Sequence, residues 1–114
     1  MPTYQEIDAV ELKQILDEGR QVELIDVRTP AEVSRGVLPN AKTLPMHLVP
    51  ARLHYFTSPE TSYVIYCRTG SRSAQVCRFL QKQGIVNVIN LRGGVVRWAS
   101  SGNPLSPQPD GKIS

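Results

Sequence analysis

The sequence predicts an α/β domain, a mostly parallel β-sheet with helices on both faces. Three observations carry that expectation. Strand-like and helix-like segments alternate along the chain. Tyr63-Val64-Ile65-Tyr66 is a continuous apolar run bounded by polar residues, which suits a strand buried on both faces of a parallel sheet. The chain has 114 residues, 40% of them hydrophobic and 20% charged, enough for one domain with one real core.

The elements follow in order. Asp8 and Glu11 form a capping-box pattern, with Leu12, Ile15 and Leu16 at helical spacing behind it and Gly19 as a stop. Val22 to Asp26 reads as a strand. Pro30 suits the first turn of a short helix, where its missing N–H costs nothing. Ala41 to Pro45 is a short extended segment, and a short helix is expected near His47 to Leu53. Ser71 to Gln83 is a helix ended by Gly84. Val86 to Leu91 is a further strand, Gly93-Gly94 a loop, and Val95 to Ser100 a last short helix. Residues 1–102 form the expected domain. Residues 103–114 hold three prolines and few apolar groups, and are expected to form a flexible tail. No internal repeat is present.

Charge and cysteine content narrow the function. The net charge of +3 is too mild to imply nucleic acid. The N-terminal stretch lacks a basic region followed by an apolar one, and no apolar run approaches the roughly 20 residues that span a bilayer. A cytoplasmic monomer that binds neither nucleic acid nor membrane is therefore expected. The two cysteines, Cys67 and Cys77, form no CxxC pair, and no His pair sits at metal-ligand spacing. Neither a disulfide, a metal nor an organic cofactor is expected.

The informative stretch is Cys67-Arg68-Thr69-Gly70-Ser71-Arg72. A buried strand ends at Cys67, a short loop follows, and a helix begins at about Arg72. Ligands of open α/β sheets bind beyond the carboxyl ends of strands. A loop there, running into a helix N-terminus, aims several N–H groups at one point and makes an anion nest. A thiol in that nest, with Arg68 and Arg72 nearby, falls below its free pKa of about 8.5 and becomes a nucleophile. A Cys at a strand end is more often a small core residue. Its place at a strand terminus, the flanking Gly and Ser, and two arginines within five positions favour the chemical role here. Cys77 shares a helix face with Val76, Phe79 and Leu80 and reads as core. His47 and His54 read as surface residues.

These segments resemble the rhodanese family in its small single-domain form, over roughly residues 4 to 101. The resemblance rests on Leu24-Ile-Asp-Val-Arg-Thr-Pro-Ala-Glu32, Leu38-Pro-Asn-Ala41, Val64-Ile-Tyr-Cys-Arg-Thr-Gly-Ser-Arg-Ser-Ala74 and Asn90-Leu-Arg-Gly-Gly94 with Trp98, in that order and spacing. It implies a rhodanese-like fold with a central five-stranded sheet. It implies that Cys67 carries a persulfide and that the 67–72 loop binds substrate through Arg68, Thr69, Gly70, Ser71 and Arg72. Arg72 is expected to close the loop and orient the anion, with Asp26 and Arg28 as supports. Gly93-Gly94 should turn close to the pocket, and Trp98 should pack in the core. Val37 stands where the family commonly has a His of structural character.

The implied activity is thiosulfate sulfurtransfer by a two-step scheme. A small anionic sulfur donor loads Cys67, and cyanide or a thiol, including a thiol protein, unloads it. A cysteine phosphatase or arsenate reductase is the nearest rival enzyme. Four residues separate Cys67 from Arg72, whereas those enzymes use five, and Tyr66 stands where many have His. A rhodanese-like binding module is the non-enzymatic rival, but such modules usually lack the Cys. A P-loop NTPase is excluded, because no G-K-[ST] element follows the single Gly70.

Overall fold

The computed structural model describes residues 4–114. Six parallel strands make one sheet in the order β1-β5-β4-β2-β3-β6. They are β1 (Gln5–Ile7), β2 (Val22–Asp26), β3 (Lys42–Thr43), β4 (Ser62–Tyr66), β5 (Val88–Leu91) and β6 (Gly111–Lys112). The helices are α1 (Ala9–Asp17), α2 (Pro30–Val33), α3 (Ser71–Lys82) and α4 (Gly94–Ser100), with a 3-10 segment over Met46–Phe56. The first three residues of the expected domain lie outside the described residues.

Strand periodicity sorts the core into two halves. Tyr63, Ile65 and Cys67 join Ile25, Val27, Val76, Cys77, Leu80 and Phe56 on one side of the sheet. Val64 and Tyr66 join Leu24, Leu12, Leu91, Val95 and Trp98 on the other. Side chains alternate across a strand, so the residue after Tyr66 had to face α3. β4 lies between β2 and β5, with β2 paired from Val22↔Ser62 to Asp26↔Tyr66. Both neighbours hold the strand end that carries Cys67.

Local signals explain the helix starts. Asp8 caps α1 by accepting the Glu11 N–H at 2.9 Å while Glu11 reaches back to the Asp8 N–H. Thr29 and Glu32 cap α2 in the same way, with Pro30 in the first turn. The segment expected as a short helix near His47 to Leu53 is a longer 3-10 helix, kinked at Arg52. Pro50 inside it has no N–H to donate, which disfavours a continuous α-helix.

Three expectations need correction. The sheet has six strands, where five were expected, and every pairing between its strands is parallel. β5 starts at Val88, two residues later than expected, because Val86 points into solvent, 73% exposed. The tail expected to be flexible is docked. β6 pairs with β3, the Asp110 N–H donates to Ala41 O and the Ile113 N–H to Thr43 O. Ile113 is buried, Val37 and Ser106 form an antiparallel bridge, and Trp98 Nε1 donates to Pro104 O at 2.7 Å. The otherwise unpaired edge of β3, the buried isoleucine, the Val37–Ser106 bridge and the Trp98 bond together hold a polar segment in place.

Candidate active site

Cys67 is the first residue beyond β4, and its side chain is 1% exposed. The chain then turns back over the sulfur. Gly70 N–H points at Sγ from 3.1 Å, and the Ser73 N–H and hydroxyl lie 3.5 Å away. Gly70 adopts φ +108, in the region open to glycine, and the first turn of α3 follows at once. Burial pushes the Cys67 thiol up. The Ser73 hydroxyl, with the amides of Ser73, Gly70 and Thr69, outweighs burial and leaves the thiol more acidic than a free one. The sulfur is thus covered, yet its nearest polar neighbours are hydrogen-bond donors.

The loop is held from behind by the start of α4. Val95 N–H donates to Cys67 O at 3.0 Å and Val96 N–H to Arg68 O at 3.1 Å. These bonds pin both carbonyls on the side away from the sulfur. They require close approach at Gly94, where a Cβ would stand 2.5 Å from the Cys67 and Arg68 carbonyl oxygens. Gly93 and Gly94 therefore turn next to the loop, as the sequence implied, and their role is conformational.

Arg72 does not turn toward the sulfur. Its guanidinium makes a two-pronged pair with Glu32, Nη1 to Oε1 at 2.7 Å and Nη2 to Oε2 at 2.8 Å. That pair, opposed by slight burial, holds the Glu32 carboxyl down at about 2. Arg72 thus ties the Cys67 loop to α2, and its guanidinium faces Glu32. Its charge remains close enough to favour a negative sulfur. Arg68 and Thr69 are exposed, Gly70 is buried, and Ser71 opens α3 with its side chain in solvent. The six residues form one loop, in which Thr69 and Gly70 meet the sulfur through their amides.

Asp26 and Arg28 lie one strand away and do not touch Cys67. Arg28 Nη2 meets Asp26 Oδ2 at 2.7 Å and Gly36 O at 2.6 Å, with both side chains buried. The Arg28 guanidinium also lies over the Tyr66 ring, 5.8 Å from its centre. Tyr66 Oη accepts the Leu38 N–H at 3.1 Å. The group locks the ends of β2 and β4 to the segment around Gly36–Leu38. Val37 is fully buried there and bonds to the tail, a packing role that asks for no imidazole.

Two site residues escaped sequence reasoning. Ser73 stands one residue past Arg72, and Asn90 lies on β5. Ser73 Oγ donates to Asn90 Oδ1 at 2.6 Å, and Asn90 Nδ2 donates to Glu6 Oε2 at 2.8 Å. Asn90 is 1% exposed, and a buried Asn in an apolar strand was the signal available in the sequence. Glu32 stood in the sequence only at the end of the Leu24 to Glu32 stretch, with no role read for it. Cys77 is fully buried, and burial pushes its thiol up to about 12. Both histidines are exposed. Among the described residues no group of three His, Cys, Asp or Glu stands close enough to hold a metal ion.

Fold and site together define an α/β domain with a buried cysteine cradled by amide N–H groups at the carboxyl end of a parallel strand. Comparison with known proteins narrows the class. Residues 8–101 match the model of the rhodanese-like domain. A sulfurtransferase of Allochromatium vinosum is 47% identical over 100 residues, covering 88% of this chain and 92% of its own. A rhodanese-like domain protein from Staphylococcus aureus superposes with a TM-score of 0.79 at 39% identity, over 90% of this chain and 96% of that one. A rhodanese-related protein from Thermoplasma volcanium superposes with a TM-score of 0.81 at 26% identity, over 92% and 100%. The chain belongs to the rhodanese-like domain family.

Proposed function

We propose that this protein is a sulfurtransferase in which Cys67 carries sulfur as a persulfide between a small anionic donor such as thiosulfate and a thiol or cyanide acceptor. In the first step Sγ, as thiolate, attacks the outer sulfur of thiosulfate. A new S–S bond forms, the bond to the sulfonate sulfur breaks, and sulfite leaves with its electron pair. In the second step the acceptor attacks the outer sulfur, and Cys67 leaves as thiolate.

The observation that carries this reading is the set of N–H groups aimed at Sγ by Thr69, Gly70 and Ser73. They favour the negative sulfur before attack and again as it leaves, where fixed donors act as an oxyanion hole does for oxygen. The sulfurtransferase relative supports the same chemistry. A loop one residue shorter than that of cysteine phosphatases speaks against phosphate esters, as does an arginine already held by Glu32.

Intact-mass measurement after thiosulfate treatment tests the reading. The wild-type protein should gain about 32 Da, one sulfur atom, and Cys67→Ser should gain nothing. No gain in the wild type, or robust hydrolysis of an aryl phosphate, overturns it.

A further inference from the structure

The Ser73 hydroxyl has one proton and three acceptors within reach. Asn90 Oδ1 lies at 2.6 Å, Gly70 O at 3.2 Å and Cys67 Sγ at 3.5 Å. Ser73 and Asn90 are sealed from solvent, at 0% and 1% exposure, so the competition is among these three groups. A hydroxyl donates to one acceptor at full strength, and the closest is the Asn90 oxygen. The sulfur thus meets a hydroxyl whose proton is committed elsewhere, with the lone pairs of Oγ left to face it.

The end of the amide that faces Ser73 is fixed by its other end. Asn90 Nδ2 donates to Glu6 Oε2 at 2.8 Å and to Gly70 O at 3.3 Å. A carboxylate and a carbonyl only accept, so a flipped amide would set oxygen against oxygen at both places. Strand pairing brings the groups together. Glu6 on β1 stands opposite Asn90 on β5, Asn90 stands opposite Ile65 on β4, and Ile65 belongs to the half of the core that packs on α3. The carboxylate near the sheet edge therefore settles that an acceptor reaches Ser73, and Ser73 is the link from Asn90 to the sulfur.

We propose that Asn90 is a positioning residue for Cys67: it holds the Ser73 proton while the sulfur is a thiol and yields it to the sulfur once that becomes a thiolate. In the first setting Ser73 Oγ donates to Asn90 and accepts the S–H. In the second the O–H turns to the negative sulfur, a stronger acceptor than a neutral amide oxygen, and Asn90 Oδ1 loses its partner. The hydroxyl keeps its proton throughout, and only the thiol proton leaves, to solvent. Ser73 and Asn90 therefore pull thiol acidity in opposite directions. Ser73 favours the thiolate, and Asn90 opposes it, because ionisation leaves a buried acceptor unpaired. The inference rests on the sulfur-transfer reading, in which Cys67 attacks as thiolate, and names what sets the supply of that thiolate.

The test is a double-mutant cycle in the whole chain, read as the pH midpoint for iodoacetamide alkylation of Cys67 by peptide mapping. The charges around this corner are Arg72 with Glu32, Asp26 with Arg28, and Glu6, and all are kept in every variant. Ser73→Ala should raise the midpoint and Asn90→Val should lower it, each by about 0.5–1 pH unit, the worth of one hydrogen bond. In the Ser73→Ala background, Asn90→Val should move the midpoint by no more than about 0.3 pH unit, because the hydroxyl it acts through is gone. Circular dichroism checks folding, and Asn90→Ala, which adds no bulk, takes the place of Asn90→Val if that variant does not fold. No fall in the midpoint on removing Asn90, or a fall of equal size with and without the Ser73 hydroxyl, overturns the inference. Thiosulfate loading is followed by mass in parallel. The expected midpoints in a protein that gains no sulfur overturn the sulfur-transfer reading and leave the role of Asn90 standing.

Discussion

Gly94→Ala is the sharpest probe of how the loop is held. Gly94 sits at φ +57, and an alanine pays roughly 1–2 kcal/mol for that backbone region. Its Cβ would also lie 2.5 Å from two carbonyl oxygens, Cys67 O and Arg68 O, both backbone atoms with no flexible end to yield. Relieving such a clash costs roughly 1–3 kcal/mol more. Gly84→Ala is the matched control: φ is +86 and nothing lies within 4 Å of the added carbon. Urea unfolding should therefore show a loss of about 2–5 kcal/mol for Gly94→Ala against about 1–2 for Gly84→Ala. The clash also has a chemical signature. Pushing the two carbonyls away breaks the Val95 and Val96 bonds that hold them, and the amides behind Sγ lose their aim. The midpoint of the pH profile for alkylation of Cys67 should then rise toward the free-thiol value of about 8.5, while the Gly84 variant keeps the wild-type midpoint. Equal stability losses for the two variants, with the same thiol midpoint, would refute the claim that close packing at Gly94 shapes the nest.

Three further outcomes are expected. Iodoacetamide should label Cys67 with a midpoint below that of a free thiol and leave Cys77 untouched at neutral pH in the native protein, as peptide mapping can check. The same depression means that Cys67 ionisation stabilises the fold above the unfolded thiol value, a contribution lost as pH falls through the folded one. Glu32→Gln should cost about 0.5–1 kcal/mol at neutral pH by urea unfolding. Because the folded carboxyl is depressed from 4.5 to about 2, the wild-type advantage should fade as pH drops across that window and vanish below it. Deleting residues 104–114 should cost about 2–4 kcal/mol by the same assay, from exposing the Ile113 site and breaking backbone bonds to β3, and an unchanged unfolding midpoint would mean that the tail is not docked.

Signals that act within a few residues were legible. The Asp8–Glu11 cap, Pro30 in the first turn of α2, the buried run of β4 and the glycine stop of α3 each follow from local chemistry, and each stands where expected. The nest was legible for the same reason, since a strand end, a glycine and a helix start lie within six residues. What could not be read depends on distant partners. Arg72 and Glu32 are forty positions apart, and nothing local says that the guanidinium pairs with a carboxylate on α2. Asn90 reaches Ser73 across the β5–α3 contact, and its value lies in which end of its amide faces the hydroxyl. The tail misled because composition measures how much apolar surface a segment can bury, whereas β6 forms by completing the ladder of β3. β1 was missed because three residues are too few to show a period.

The two cysteines separate burial from reactivity. Each is within 1% of complete burial, both stand on the α3 side of the sheet, and both belong to one core cluster. Burial alone pushes either thiol up, and for Cys77 it carries the thiol to about 12. Cys77 lies inside α3, where the surrounding amides are spent on the i→i−4 ladder and none is free to face its sulfur. Cys67 lies just before the same helix, where the first amides have no intrahelical carbonyl and turn toward whatever acceptor is near. The difference of ten residues is therefore a difference between spent and unspent N–H donors. On this argument, placing a cysteine in a reactive state takes no charged neighbour in contact with it: Arg72 can be committed to Glu32, and the loop still presents an ionisable sulfur.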